Sequence, residues 1–181
     1  AEFFAALERR KIGVNFGMLV GHSTIRRAII GEAFRDLTTK ELEVFRQLLE
    51  SALSEGAMGV STGLGYAHSR QTPYFEIKFL ADIVSKFNGV YATHLRDERE
   101  GLLASVTETI KLAQEVKVRT LISHFRPLVG FEKDFEVALD VLEKSFPGAD
   151  VHFDNYPFDT SIVPIYTLLP RWAQNGGLEV M

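Results

Sequence analysis

The chain has 181 residues, 46% hydrophobic and 24% charged, with a formal net charge of -4 and a pI near 5.8. That supports one soluble globular domain spanning 1–181, excludes a disordered or fibrous chain, and leaves no electrostatic case for a nucleic-acid or anionic-membrane partner. The absence of cysteine rules out disulfides and thiolate sites, so any metal must be held by His, Asp or Glu, a composition that suits a cytoplasmic protein.

An amphipathic start from Ala1 to Lys11 sets Phe3, Phe4 and Leu7 at helical spacing and lacks the apolar core of a signal peptide. It begins in mid-pattern, so the chain reads as part of a longer protein. Apolar runs suited to buried strands follow at Val14–Val20, Ala57–Val60, Val90–Thr93, Thr120–Ser123 and Val151–Phe153. None approaches the roughly 18 residues of a membrane span. Helical spacing predicts helices between them: Thr39–Glu55, with Leu42, Phe45, Leu48, Leu49 and Leu53 as its apolar face, then Glu76–Phe87, Leu102–Val116 and Phe131–Phe146. Thr38 and Thr39 ahead of Glu41 and Glu43 supply N-cap chemistry, and Gly56 and Gly89 stand where helices should stop.

Continuous apolar strands separated by helices imply a parallel sheet covered on both faces. The strand ends fall at His22, Ser61, His94, His124 and Asp154, and the last three units each take about thirty residues, the size of one βα repeat. No G-x-G-x-x-G or Walker glycine pattern follows a strand. Polar residues close each one, at the end where βα barrels build their sites. The expected fold is α/β: a partial βα (TIM-type) barrel of about five parallel strands with intervening helices, against the eight of a closed barrel.

Two of the repeats share a pattern. VYATHLRDE (90–98) and TLISHFRP (120–127) each run an apolar strand into Thr-His or Ser-His, then one apolar residue, then Arg. Adjacent parallel strands would place His94 and His124 about 5 Å apart at the backbone, close enough for two imidazoles to share one zinc-like ion. Either ring alone reads more readily as a strand cap bonded to a backbone carbonyl, and the matched pair favours the metal. His22, in LVGHSTIRR, also closes a strand and reads as a neighbour of the ligands or as substrate-facing. His68 and His152 read as ordinary loop and strand residues.

GVSTG (59–63) matches the nucleophile-elbow pattern, but Leu64, Gly65, Tyr66 and a loop to Pro73 follow it where the elbow needs an immediate helix. Serine catalysis is therefore not expected. Asp154, in HFDNYPF, reads either as a carboxylate orienting a histidine or as an Asx turn before Pro157. Arg96 and Arg126, each two residues past a histidine, suit either a bidentate grip on a substrate carboxylate or a salt bridge within the protein.

Taken together and in this order, GHSTIR, GAMGVSTGLGY, YATHLRDE, ISHFRP and DNYPF resemble the N-acyl-D-amino-acid deacylases (D-aminoacylases) of the amidohydrolase superfamily, from about Gly13 to Trp172. The resemblance implies a metal-dependent hydrolase that cleaves the amide of small-molecule N-acyl-D-amino acids, on a βα barrel with a smaller β domain beside it. It implies His94 and His124 as ligands of zinc or a similar divalent metal, and Tyr66 and Arg96 as contacts for the substrate α-carboxylate. Arg126 stands where the family often has a lysine that reads the substrate side chain. The family's His-x-His pair, its bridging ligand and its catalytic Asp have no counterpart in this chain. The metal site is therefore expected to be incomplete, with no certain catalytic residue present and hydrolysis essentially absent from the chain alone. A second expectation, from another class, is a non-catalytic binding or assembly module that self-associates through exposed strand edges.

Overall fold

The computed structural model describes residues 2–10 and 12–174. Its elements alternate as α1 (Glu2–Arg10), β1 (Leu19–Gly21), α2 (His22–Ile30), α3 (Thr39–Ser54), β2 (Gly59–Gly63), α4 (Ala67–Arg70), α5 (Tyr74–Lys86), β3 (Val90–His94), α6 (Leu102–Val116), β4 (Arg119–Ile122), α7 (Glu132–Ser145), β5 (Val151–Phe153) and a last turn, α8 (Arg171–Gln174). Among the described residues no helix is long and apolar enough to cross a membrane.

The five strands are parallel and hydrogen-bonded in chain order, β1 to β5. A doubly wound sheet reverses its strand order at a switch point, and no reversal occurs here. The sheet is an open run of βα units, a partial barrel as expected.

Register sorts the strand residues onto two faces. One row, Val20, Val60, Tyr91, Thr120 and Val151, runs across all five strands. It is the row the helices cover. Val60 and Tyr91 pack with Phe45 and Leu49 of α3 and Ile77, Leu80 and Val84 of α5. Further along, Ile122 and Val151 pack with Val106 and Ile110 of α6 and Ala138 and Leu142 of α7. Each fully buried side chain of this kind contributes about 1.5–3 kcal/mol over an exposed one. The alternate row, Gly21, Ser61, Ala92, Leu121 and His152, faces the other way. His94, two residues past Ala92 on β3, belongs to that second face.

Two expectations need correction. The run Val14–Val20 yields only the short β1. Its single neighbour, β2, supports pairing only from Met18 onward, where the Met58 N–H donates to the Met18 carbonyl at 2.8 Å. Val14 and Phe16 are left exposed. His22 does not close a strand with a loop behind it but opens α2, whose Ile25, Ile29 and Ile30 pack on the first core. The helix predicted at Thr39 is present as α3. Thr38 accepts from the Glu41 N–H while Glu41 accepts from the Thr38 N–H at 2.8 Å, a capping box. Arg35 grips the same carboxylate with two bonds, and these hydrogen bonds, Arg35 first, hold it down at about 2.

Close backbone approach fixes one glycine. A Cβ on Gly59 would stand 1.8 Å from the Val90 carbonyl oxygen, at φ 156°, so β2 and β3 pair there only without a side chain. Gly59→Ala is expected to cost at least about 2 kcal/mol, read as a lower midpoint in urea unfolding with unchanged slope.

Candidate metal centre

β3 delivers His94 in phase, with Tyr91, Thr93 and Leu95 alternating toward the helices; Leu95 is buried in the second core. β4 delivers His124 differently. Asp154 N–H donates to the Ile122 carbonyl at 3.0 Å, and a regular parallel ladder would next return a bond from His124 N–H to Asp154. That bond comes instead from Phe125 N–H, at 2.9 Å. His124 is therefore one extra residue, a bulge, with a left-handed backbone at φ 44°. Its displaced N–H donates to the Asp154 carboxylate. Phe125 falls back to the helix side, where it is buried against Phe135 and Phe153. Without the bulge, Phe125 would face away from the helices and His124 toward them.

The result is a close imidazole pair. His94 Nδ1 and His124 Nε2 lie 2.8 Å apart, with ring centroids at 4.6 Å and planes at 63°. Glu98 joins them: its Oε1 is 3.0 Å from His124 Nδ1, and its Oε2 is 4.0 Å from His94 Nε2. These three residues form the metal-capable cluster among the described residues. A divalent ion bound to both facing nitrogens at about 2.0–2.1 Å needs them about 3.3 Å apart at a tetrahedral angle, so a slight opening of the rings seats it. The donor set fits the group.

The loop after β2 walls the pair. Tyr66 stacks on the His94 ring at 4.8 Å. Gly65 passes so close that a Cβ there would be 2.4 Å from His94 Nε2, and one on Gly63 would meet the Tyr66 ring at 2.7 Å. The glycines of GVSTGLG thus serve close packing, and Ser61 lies inside β2 rather than at an elbow.

The other sequence candidates lie apart from the pair. Arg96 binds Glu108 with two bonds, of 3.1 and 3.0 Å, and also reaches the Arg70 and Thr72 carbonyls. Any substrate carboxylate would have to compete with Glu108. Arg126 lies over the Tyr156 ring at 4.3 Å and donates to the Phe158 carbonyl and Ser161 Oγ. His22 is fully buried on the helix side, 2.8 Å from Glu76 Oε1 and stacked on Phe45. Arg26 shares that oxygen at 3.0 Å, while among the described residues His22 Nδ1 and Glu76 Oε2 have no hydrogen-bond partner. His152 is exposed and pairs with Asp150. Glu98 escaped the sequence reading. Its signal was a carboxylate four residues past a strand-end histidine.

The two rings are pushed in opposite directions. The Glu98 hydrogen bond holds His124 above the ordinary 6.5, against burial, while burial, with His124 adding, holds His94 below it and Glu98 opposes. The His124 contribution to stability is complete below the unfolded value and is lost as pH rises through the folded one. That of His94 is present above the unfolded value and is lost as pH falls toward the folded one. NMR titration of the metal-free chain should resolve two coupled steps, the upper mainly from His124 and the lower mainly from His94, on either side of 6.5.

No protein-family model matches the chain. A D-aminoacylase from Alcaligenes xylosoxydans xylosoxydans is 34% identical over 160 residues, 87% of this chain and 33% of that protein. A D-aminoacylase solved to define the role of its binuclear metal centre superposes with a TM-score of 0.79 at 32% identity, covering 87% of this chain and 33% of that one. The N-acyl-D-glutamate deacylase from Bordetella bronchiseptica, complexed with zinc and a phosphonate inhibitor, gives 0.80 at 27% identity, covering 86% and 33%. The chain spans about a third of the length of these relatives. By sequence and by fold the chain is homologous to about a third of the D-aminoacylases and N-acyl-D-amino-acid deacylases, the amidohydrolases it is similar to.

Proposed function

We propose that the protein carrying this chain is a cytoplasmic, metal-dependent amidohydrolase that cleaves the amide bond of N-acyl-D-amino acids. The observation that carries the reading is the facing pair, His94 Nδ1 and His124 Nε2 at 2.8 Å, at the strand ends where barrel enzymes place their chemistry. His94 and His124 would hold zinc or a similar ion. When bound, such an ion supplies Lewis-acid polarisation of the amide carbonyl and acidifies the attacking water.

The chain's own residues do the rest. Tyr66, stacked on His94, keeps that ring fixed while its hydroxyl serves the substrate α-carboxylate. Arg96 assists once a carboxylate displaces part of its Glu108 bond, and Arg126, steadied on Tyr156, reads the substrate side chain. Asp154 holds the His124 backbone. Two histidines leave a tetrahedral ion short of ligands, so the chain alone is inactive.

His94→Ala or His124→Ala in the full-length protein is expected to remove zinc and cut hydrolysis of N-acetyl-D-amino acids at least about 100-fold, with circular dichroism unchanged. Full activity with metal retained would overturn the assignment.

A second reading is favoured by the open sheet: among the described residues β1 and β5 each pair on one side only, and Ile162, Ile165 and Leu168 beyond β5 are exposed. An assembly module would cover these edges with a second copy. Sedimentation of the isolated chain should then show a dimer that resists dilution; a stable monomer excludes this.

A further inference from the structure

We propose that Glu98 is a positioning residue for the histidine pair: it holds the His124 ring as the Nδ1–H tautomer and so turns the bare Nε2 toward the metal position. This inference rests on the metal-site reading above and adds to it a residue that supports the ligand without touching the ion.

The argument is one of donors and acceptors. An ionised carboxylate only accepts, and Glu98 Oε1 is 3.0 Å from His124 Nδ1. That nitrogen must therefore carry the hydrogen, and in the neutral ring Nε2 is left as an acceptor. Nε2 is the atom that faces His94 Nδ1 at 2.8 Å. Carboxylates that accept from the far nitrogen of a metal-bound imidazole set its tautomer and raise its basicity. Glu98 stands on that far side.

His94, His124 and Glu98 each offer one ligand atom within 4.8 Å of one another, so a rival arrangement would make Glu98 a third ligand, with the ion among His94 Nε2, His124 Nδ1 and the carboxylate. Two observations oppose it. His94 Nε2 is walled by the backbone of Gly65, where even a Cβ would come within 2.4 Å. The Glu98 oxygen nearest that nitrogen is 4.0 Å away, while the other already engages His124. The converging nitrogens, His94 Nδ1 and His124 Nε2, are on the opposite edges of the two rings.

The test uses the full-length protein with 15N-labelled histidines, metal-free, at a pH well above the histidine range. His124 should show a protonated Nδ1 and a bare Nε2, and zinc should then shift His94 and His124 together. Glu98→Ala should move His124 toward the Nε2–H tautomer, which free imidazole side chains prefer, and weaken zinc binding about 10–100-fold. Glu98→Gln, whose amide oxygen still accepts, should keep the tautomer and most of the affinity. An Nε2–H ring in the unsubstituted protein, or a tautomer unmoved by Glu98→Ala, overturns the proposal. So does loss of zinc in Glu98→Gln as deep as in Glu98→Ala, which would make the carboxylate itself a ligand. If the tautomer behaves as stated but zinc shifts neither ring, the metal reading falls while the placement of His124 by Glu98 stands.

Discussion

Side chains on a parallel ladder alternate between two faces, and here one face is committed to helices along an entire row, from Val20 through Val60, Tyr91 and Thr120 to Val151. Everything else about the site answers to that commitment. A side chain placed on the free face must come from the opposite row, as His94 does, or leave the alternation, as His124 does. The bulge at His124 reconciles two demands on adjacent residues, an imidazole on the free face and a phenyl ring in the helix-side core.

The free face and the helix face handle buried charge differently. On the helix side, Glu76 is shut away with His22 and Arg26, and the His22 Nδ1 and Glu76 Oε2 atoms find no hydrogen-bond partner among the described residues. Breaking such a group would strand a buried charge, so the cluster fixes how α2 sits on α5. On the free face, Glu98 is partly open to solvent and raises both neighbouring rings, yet burial leaves His94 below its ordinary value while His124 stands above it. The first arrangement specifies packing; the second gathers two imidazoles and a carboxylate at the strand ends.

Four of the five strands were legible because buried parallel strands read as unbroken apolar runs, and α3, α5, α6 and α7 because their apolar residues recur at helical spacing. The stretch from Val14 misled for the same reason: hydrophobicity marks a strand but does not say whether a neighbour extends far enough to pair with it. α2 went unseen because its first residue, a buried histidine, looked like a strand end. His94 and His124 were legible as a pair, yet the likeness of ATHL to ISHF concealed a difference in phase. Tyr91, Thr93 and Leu95 step by two toward the helices, whereas Ile122 and Phe125 are separated by three, and that odd interval was the mark of the bulge. Glu98 was hidden among Arg96, Asp97 and Arg99, a cluster that reads as a solvated surface until the loop folds it back onto His124.

The bond between the His124 N–H and the Asp154 side chain gives the site a dependence that its own strand does not contain. A backbone acceptor would have been supplied by any residue in that place; a carboxylate is supplied by one. The position of an imidazole on β4 is therefore set by the identity of a residue thirty positions later in the chain, at the end of β5. Without Asp154 at the end of β5 that amide would lose this partner, so the placement of the pair at His94 and His124 depends on a third strand beside the two that carry it.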